Sequence, residues 1–250
     1  MERPRQDHGH SGGESRPDDK QQLLLQPYKL ADLPLSTRIV MAPLTHGRAH
    51  NRGHVPNDLM REYYEQRATA GLIISEGVWV NVDGQRWRSA PGIYNYELGA
   101  GWRRITDAVH AKGGRIFAQL WHQGSVSDPS FFDDGRLPLA PSAVDPVQIV
   151  HVAGGTTMTV VPREMTHADI VQVIGDYRNA ARIAKEAGFD GIQLQAGFVY
   201  LIQQFIHEPT NRRADRYGGA SKIARASCSK YLRRSSRLGR ATGLASRLAS

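Results

Sequence analysis

The feature that most constrains the fold of this 250-residue chain is an alternation of short apolar runs with longer helical patterns. The apolar runs have the length and composition of buried strands, and they occupy residues 38–42, 72–75, 115–120 and 191–195. The segments between them place apolar residues at helical spacing, most clearly in residues 59–70, 102–109 and 166–187. Thr166, followed three positions later by Asp169, predicts a capping box at the start of the last of these helices. Strands that alternate with helices predict a parallel sheet covered on both faces, either in a closed barrel or in an open doubly wound sheet.

The loop after the first predicted strand distinguishes these two architectures. No Gly-x-Gly-x-x-Gly string follows residues 38–42, although that string is the dinucleotide fingerprint of the open fold. We therefore favour a (β/α)8 barrel, which the chain is long enough to hold. Residues 147–152 and 156–161 flank the pair Gly154-Gly155, and this pattern predicts an inserted hairpin that covers one end of the barrel.

The net charge of +8 is confined to the end of the chain. Residues 220–250 contain eight Lys or Arg and no Asp or Glu, which leaves 24 basic and 24 acidic side chains in residues 1–219. A basic segment with few large apolar groups predicts a disordered tail. A basic module that binds nucleic acid or anionic lipid is the weakest functional alternative, because the tail lacks interleaved aromatic side chains. We expect no nucleic-acid partner.

The remaining composition indicates a soluble, cytoplasmic protein. Cys228 is the single cysteine, which excludes an intramolecular disulfide and suits a reducing compartment. The longest apolar runs fall far short of the ~20 residues that cross a bilayer, so we expect no membrane partner. Residues 1–22 are almost wholly polar and predict a disordered leader. His46, His50 and His54 recur every fourth residue but lie among Gly and Pro, so we predict no metal site there.

Five sequence strings lie at the ends of the predicted strands or just beyond them. They are Met41-Ala-Pro-Leu-Thr45, Ser75-Glu-Gly77, Gln119-Leu-Trp-His122, Gly188-Phe-Asp-Gly191 and Asn211-Arg-Arg-Ala-Asp-Arg-Tyr-Gly-Gly219. In these strings residues 23–219 resemble the old yellow enzyme family of FMN oxidoreductases, and most closely its plant branch of 12-oxophytodienoate reductases. The resemblance implies an α/β fold that comprises the first four βα units of a (β/α)8 TIM barrel.

The same resemblance implies a flavin enzyme. It implies FMN as the cofactor, NADPH as the electron donor and a small-molecule α,β-unsaturated carbonyl compound, an enone, as the substrate, in oxylipin (jasmonate-type) metabolism. The residues that it places at the cofactor are Pro43, Leu44, Thr45, Gly77 and Gln119. The Thr45 hydroxyl and the Gln119 amide would pair with the polar edge of the flavin, and Gly77 would allow a close approach of the backbone.

The resemblance implies that residues 195–200, at the end of the fourth predicted strand, form the substrate site. It also implies that Trp121, at the end of the third predicted strand, forms a wall of this site. Tyr200 matches the family's proton donor, which protonates the α-carbon as hydride reaches the β-carbon. The family's two hydrogen-bond donors to the substrate carbonyl are replaced by Gln195 and Phe198, of which only Gln195 can donate. Loss of one such donor lowers a rate by about 10²–10³, so we expect slow enone reduction.

The chain departs from the family pattern at Ala220. The family continues with four further strands, an arginine that contacts the flavin, and a phosphate site after the last strands. We therefore expect a truncated barrel in residues 23–219 that does not hold FMN by itself, and whose inner face and edge strands meet water. An inactive remnant of such an enzyme is the second functional hypothesis. The sequence leaves the preferred enone and the oligomeric state open.

Overall fold

The computed structural model describes residues 23–218, which fold around a sheet of four parallel strands. In chain order the strands of this region are β1 (Tyr28–Leu30), β2 (Leu33–Leu35), β3 (Val40–Met41), β4 (Leu72–Trp79), β5 (Ile116–Trp121), β6 (Leu139–Ala140), β7 (Ile149–Val152), β8 (Gly155–Met158), β9 (Arg163–Glu164) and β10 (Gly191–Leu194). The parallel sheet has the order β10-β5-β4-β3. Its strands are therefore neighbours in the sheet in the same order in which they follow one another in the chain.

Three helices connect the strands of this sheet, and a fourth follows the last strand. They are α1 (Asp58–Glu65), α2 (Tyr96–Ala111), α3 (His167–Glu186) and α4 (Leu201–Ile206). The first three begin after Asn57, Asn95 and Thr166, whose side chains each accept a hydrogen bond from a backbone N–H of the first turn. In α3 the Asp169 carboxylate also accepts from the Thr166 N–H, which confirms the capping box that the sequence predicts.

The outer face of the sheet and the inner faces of these helices form the main hydrophobic core. Its large buried side chains include Met60, Tyr64, Ile73, Trp102, Ile105, Ile116, Leu120 and Met165. Helices α2 and α3 approach closely at Gly99, where an added Cβ would lie 2.7 Å from Cγ2 of Ile183. This packed layer fixes the strands, and with them the loops at their carboxyl ends.

The inner face of the sheet is covered at the amino-terminal ends of the strands by the antiparallel hairpin β1–β2. Leu35 of this hairpin packs with Leu72, Ile74 and Phe117, and all four are buried. The expectation that the inner face meets water is therefore wrong for this part of the sheet. The expectation that edge strands meet water does hold at β3, where Val40 is 50% exposed.

The remaining elements match the sequence predictions to different degrees. The predicted hairpin is present as the antiparallel pair β7–β8. The first predicted strand, residues 38–42, is present only as the two residues of β3, and α1 ends at Glu65 rather than at residue 70. The hairpin β1–β2 is an element that the sequence analysis missed. The predicted disordered leader, residues 1–22, and the predicted disordered tail, residues 220–250, lie outside the described residues. Within residues 23–218 no helix is both long and apolar enough to cross a membrane.

Candidate active site

The loop after β3 is held in place by the buried carboxylate of Glu76 on β4. This carboxylate accepts hydrogen bonds from the backbone N–H of His46 (3.1 Å) and of Gly47 (3.3 Å), and it lies 3.1 Å from Nδ1 of His46. The Glu76 N–H donates to the Tyr64 hydroxyl. Burial, and then the charge of Glu76, raise the pKa of Tyr64 well above its usual value. Glu76 lies in the recognised string Ser75-Glu-Gly77, but sequence analysis assigned it no role, although a carboxylate inside an apolar strand is itself a signal.

The loop that Glu76 holds carries three of the predicted cofactor residues. Leu44 and Thr45 are both exposed, and Pro43 is partly buried. The Leu44 side chain is 58% exposed. The structure thus presents residues 43–45 as an accessible strip at the carboxyl end of β3.

Gly77 lies directly under the indole of Trp121. A Cβ on Gly77 would lie 2.4 Å from Cδ2 of Trp121, which is closer than real Cβ contacts come. The pairing of β4 with β5 also shifts register between Ile74 and Gly77. The close approach that Gly77 permits in this structure is therefore that of the Trp121 ring.

Gln119 points to the same face of the sheet as its neighbour Gln193 on β10. The two residues are in register, and Nε2 of Gln119 donates to Oε1 of Gln193 over 2.7 Å. The Gln119 backbone N–H donates to the Ser75 hydroxyl. The inner face thus contains an amide pair between strands that sequence analysis did not foresee, since only Gln119 belonged to a recognised string.

Tyr200 immediately precedes α4, and its buried ring meets Trp121 edge-on. The ring centroids are 5.5 Å apart and the planes are inclined by 84°. Gln204, also buried, ties α4 to the loop after β5, because its Nε2 donates to the Gln123 carbonyl and its Oε1 accepts from the Ser125 N–H. These two bonds, together with the Gln204 N–H that donates to the Tyr200 carbonyl, fix the position of Tyr200.

The Phe198 side chain does not pack against Trp121 and Tyr200 as these two rings pack against each other. Phe198 is 79% exposed, and its ring centroid lies 6.4 Å from that of Tyr200. Phe198 and Val199 both have positive φ angles, of 56° and 55°, in a region that is strained for a β-branched residue such as Val199. Gln195, partly buried, is held by its backbone N–H, which donates to the Leu120 carbonyl.

His122 is fully buried just past the end of β5. Its Nδ1 accepts from the Gly124 N–H, so its proton is on Nε2 when the ring is neutral. Burial lowers its pKa from 6.5 to about 4, although the charge of Asp83 opposes this effect. These contacts give His122 a structural role at the end of β5.

Arg86, which sequence analysis missed, lies over Trp87, which packs in the same side-chain cluster as Tyr200. Burial lowers the pKa of Arg86, whereas a side-chain hydrogen bond and charge attraction with Tyr200 raise it. The guanidinium carbon lies 5.4 Å from the centroid of the Trp87 ring, and Nη2 donates to the Ile149 carbonyl over 2.8 Å. The Trp87 ring in turn stacks on His151 of the hairpin β7–β8, so that this hairpin lies beside the Tyr200 cluster.

Comparison of the sequence with known protein families identifies the family of this chain. The model of the NADH:flavin oxidoreductase / NADH oxidase family matches residues 23–227. The chain belongs to this family. Its predicted resemblance to old yellow enzymes is thereby confirmed, as is the prediction of FMN, the cofactor of the family, with a nicotinamide coenzyme as the electron donor.

Individual members of the NADH:flavin oxidoreductase family are similar in sequence and structure. The chain is 42% identical to 12-oxophytodienoate reductase 1 of Oryza sativa subsp. japonica over 198 residues, which are 79% of this chain and 50% of that protein. It matches the structure of an old yellow enzyme homologue from Zymomonas mobilis with 41% identity and a TM-score of 0.81, over 86% of this chain and 60% of that one. Morphinone reductase in complex with tetrahydroNAD gives 38% identity and a TM-score of 0.80, with the same coverage.

The chain spans about half the length of the curated relatives it matches. Its α/β architecture is that of part of an old yellow enzyme barrel. The side chains present suit one edge of the family's flavin: an exposed hydroxyl at Thr45 and an amide at Gln119 on the inner face can donate and accept hydrogen bonds, as a pyrimidine ring requires. Within residues 23–218 no group of three metal-binding side chains is found.

Proposed function

We propose that this chain is an FMN-dependent reductase of α,β-unsaturated carbonyl compounds that uses NADPH and acts on oxylipin-type enones. The observation that carries this proposal is the buried Tyr200 beside Trp121 at the carboxyl ends of β5 and β10. In barrels of this kind the catalytic groups come from these strand ends. A phenol held there is positioned to give its proton to a carbon of a bound enone.

FMN, when bound, supplies the hydride for the β-carbon of the enone. Pro43, Leu44 and Thr45 would hold one edge of it, and the Gln119 amide would bind its pyrimidine ring. Gly77 would contribute because it has no side chain, which allows the Trp121 ring to lie directly against its backbone. The first four βα units of the barrel, in a domain of residues 23–219, would provide this half of the site.

The substrate would lie against Trp121 within reach of the Tyr200 hydroxyl. The Gln195 amide would donate a hydrogen bond to the substrate carbonyl and stabilise the charge that develops on its oxygen. Phe198 has no polar hydrogen to offer, and its ring faces solvent. This chain would therefore reduce enones more slowly than a relative with two donors, by about 10²–10³ for the missing bond.

Stopped-flow spectroscopy on the full chain incubated with FMN tests the proposal. NADPH should bleach the flavin band under anaerobic conditions faster than NADH, and 2-cyclohexenone should restore it. In Tyr200→Phe the restoration by enone should slow by about 10²-fold because the proton donor is lost, while the bleaching by NADPH stays unchanged. Tyr96→Phe is the matched control, since the Tyr96 side chain is 90% exposed and should leave both phases unaltered.

Two outcomes would contradict the proposal. A Tyr200→Phe variant that reoxidises with enone at the original rate excludes Tyr200 as the proton donor. A chain that fails to take up FMN supports the second hypothesis, an inactive remnant, which the solvent-facing Phe198 and the strained Val199 favour.

Restoring the two donors tests the proposed role of residues 195 and 198. The double variant Gln195→His with Phe198→His should reoxidise with enone about 10²-fold faster, because a second hydrogen bond reaches the carbonyl oxygen. The exposed apolar Val161 provides a control, Val161→His, which should have no effect. An unchanged rate in the double variant would show that these positions do not contact the substrate carbonyl.

A further inference from the structure

Arg86 is a partly buried arginine whose partners differ from those of the ion-paired arginines of the structure. Arg136, Arg163 and Arg213 each form an ion pair with at least one carboxylate. Arg86 forms none with the carboxylates of residues 23–218, although it is partly buried. Its side chain donates to the Ile149 carbonyl, lies over the Trp87 ring and interacts with the Tyr200 side chain.

The Nε–H of Arg86 is a hydrogen-bond donor that the fold does not use. It is buried and has no partner within the described part of the chain. The indole N–H groups of Trp79, Trp87 and Trp121 are buried without a partner as well, and Trp87 and Trp121 belong to the same side-chain cluster as Tyr200. The surroundings of Tyr200 therefore contain a positive charge and N–H donors, and no carboxylate of residues 23–218 forms an ion pair with this charge.

A partly buried cation without a counter-charge is costly, because burial removes hydration that no ion pair replaces. Consistently, burial is the largest effect on the pKa of Arg86 and lowers it. An anionic group that docks against the guanidinium would supply the missing charge and accept from the free Nε–H. Guanidinium groups favour planar oxyanions, such as carboxylates and phosphates, which they bind through paired hydrogen bonds.

We propose that Arg86 forms an oxyanion subsite beside Tyr200, which selects ligands that carry a carboxylate or a phosphate. The proposal rests on the proposed function, because the ligand is taken to be one that binds next to Tyr200. The oxyanion has two possible sources, which share this chemistry: a carboxylate on the enone substrate, or a phosphate of the nicotinamide coenzyme. Arg86 also holds the hairpin β7–β8 through Ile149, so a ligand bound here would lie beneath that hairpin.

Isothermal titration calorimetry on the full chain with FMN tests the subsite without measuring turnover. The first arm compares 3-oxocyclohex-1-ene-1-carboxylate with its methyl ester, which has the same ring but no charge. The second arm titrates NADPH into the chain after its FMN has been reduced with dithionite, so that hydride transfer adds no heat to that of binding. Each arm is run on the wild type, Arg86→Gln, Arg86→Lys and Arg88→Gln. Arg88 is the matched control, because it is an exposed arginine two residues away in the same loop. Circular dichroism establishes that each variant is folded.

If the substrate is the source, the wild type binds the carboxylate about tenfold more tightly than the ester, as one charge-assisted hydrogen bond provides. Arg86→Gln should abolish this preference, Arg86→Lys should keep part of it, and Arg88→Gln should keep all of it. If the coenzyme is the source, Arg86→Gln instead weakens NADPH binding by a similar factor, and Arg88→Gln does not.

The proposal is overturned if Arg86→Gln changes neither the carboxylate preference nor the NADPH affinity. If the wild type binds the acid and the ester equally well and NADPH affinity is unaffected, the enone site stands and only the subsite fails. If the wild type binds neither compound and no NADPH, the proposed function fails, and the subsite fails with it.

Discussion

At the scale of single residues, Gly77 and Trp121 make a close packing contact in the candidate active site described above. The indole occupies the volume where any other residue at position 77 would place its Cβ. Gly77→Ala must therefore displace the Trp121 ring or the strand. We expect this variant to lower the free energy of unfolding by about 1–3 kcal/mol, as overpacking does, and to change the near-UV circular dichroism of Trp121. Urea denaturation measures the loss.

Gly175→Ala is the control for this prediction. Gly175 lies inside α3, and an added Cβ there meets nothing within 4 Å. The substitution should stabilise the protein by roughly 0.5–1 kcal/mol, because glycine is unfavourable in a helix interior. If Gly77→Ala were as stable as Gly175→Ala, the close packing of Trp121 on β4 would not exist in solution.

His122 makes the stability of the protein depend on pH. Its pKa in the folded protein is lowered to about 4 by burial, against 6.5 for an exposed histidine. As the pH falls below 6.5, the unfolded chain takes up a proton that the folded protein refuses. The free energy of unfolding should therefore decrease between pH 6.5 and pH 4, by up to ~3 kcal/mol from this residue, and change no further below that range.

His122→Asn should remove this contribution, since the Asn carbonyl can still accept from the Gly124 N–H but does not titrate. Thermal unfolding from pH 7 to pH 4 compares the two slopes. His207→Asn, at an exposed position, should retain the wild-type slope. Equal slopes in the wild type and His122→Asn would show that His122 is not held neutral.

At the scale of elements, the sequence was informative where a local pattern coincides with tertiary packing. The strands β4, β5 and β10 are apolar runs bounded by glycine or polar residues, and each was predicted within a few residues. The cap of α3 was predicted because its two partners, Thr166 and Asp169, are three residues apart. The hairpin β7–β8 was predicted from its glycine pair.

The elements that sequence analysis missed depend on distant contacts. Strands β1 and β2 have three residues each, which is too short for a periodic signal. Their stability comes from Leu35, which packs against Leu72 and Phe117 far along the chain. Strand β3 is likewise short, because only two of its residues pair with β4.

The same distinction applies to the candidate site. Tyr200 and Trp121 were predicted from strings that lie at strand ends, and the fold brings their rings together; their catalytic roles stay predictions. Arg86 and Gln193 gave no signal in the sequence, because each interacts with a side chain more than 70 residues away, Tyr200 for Arg86 and Gln119 for Gln193. A side chain whose partner is that remote cannot be assigned from local spacing.

At the scale of the whole molecule, Arg213 connects the last described segment to the middle of the chain. Its guanidinium donates to the carbonyls of Pro141 and Met165 and pairs with the carboxylates of Glu164 and Asp215. The Arg213 side chain is only 8% exposed, whereas those of Glu164 and Asp215 are 51% and 42% exposed. Removing the Arg213 guanidinium should therefore destabilise the protein mainly because the Pro141 and Met165 carbonyls lose a charged hydrogen-bond donor.

Arg213→Gln should lower the free energy of unfolding by about 2 kcal/mol, the cost of leaving such carbonyls without their donor. The loss should be regional, because Arg213 joins residues 207–218 to the β6–β9 pair and not to the parallel sheet. Hydrogen exchange should thus accelerate at the Arg163 and Met165 amides, which bond to Pro138 and Ala140, while the amides of β4 and β5 keep their protection.

Arg212→Gln is the matched control for this prediction, since Arg212 is exposed and its backbone N–H, rather than its side chain, bonds to Ser142. It should leave both stability and exchange unchanged. Equal acceleration across the parallel sheet in Arg213→Gln would mean that the last segment and the sheet unfold as one unit. No acceleration at Arg163 and Met165 would mean that Arg213 does not hold the β6–β9 pair, and that another contact fixes this end of the molecule.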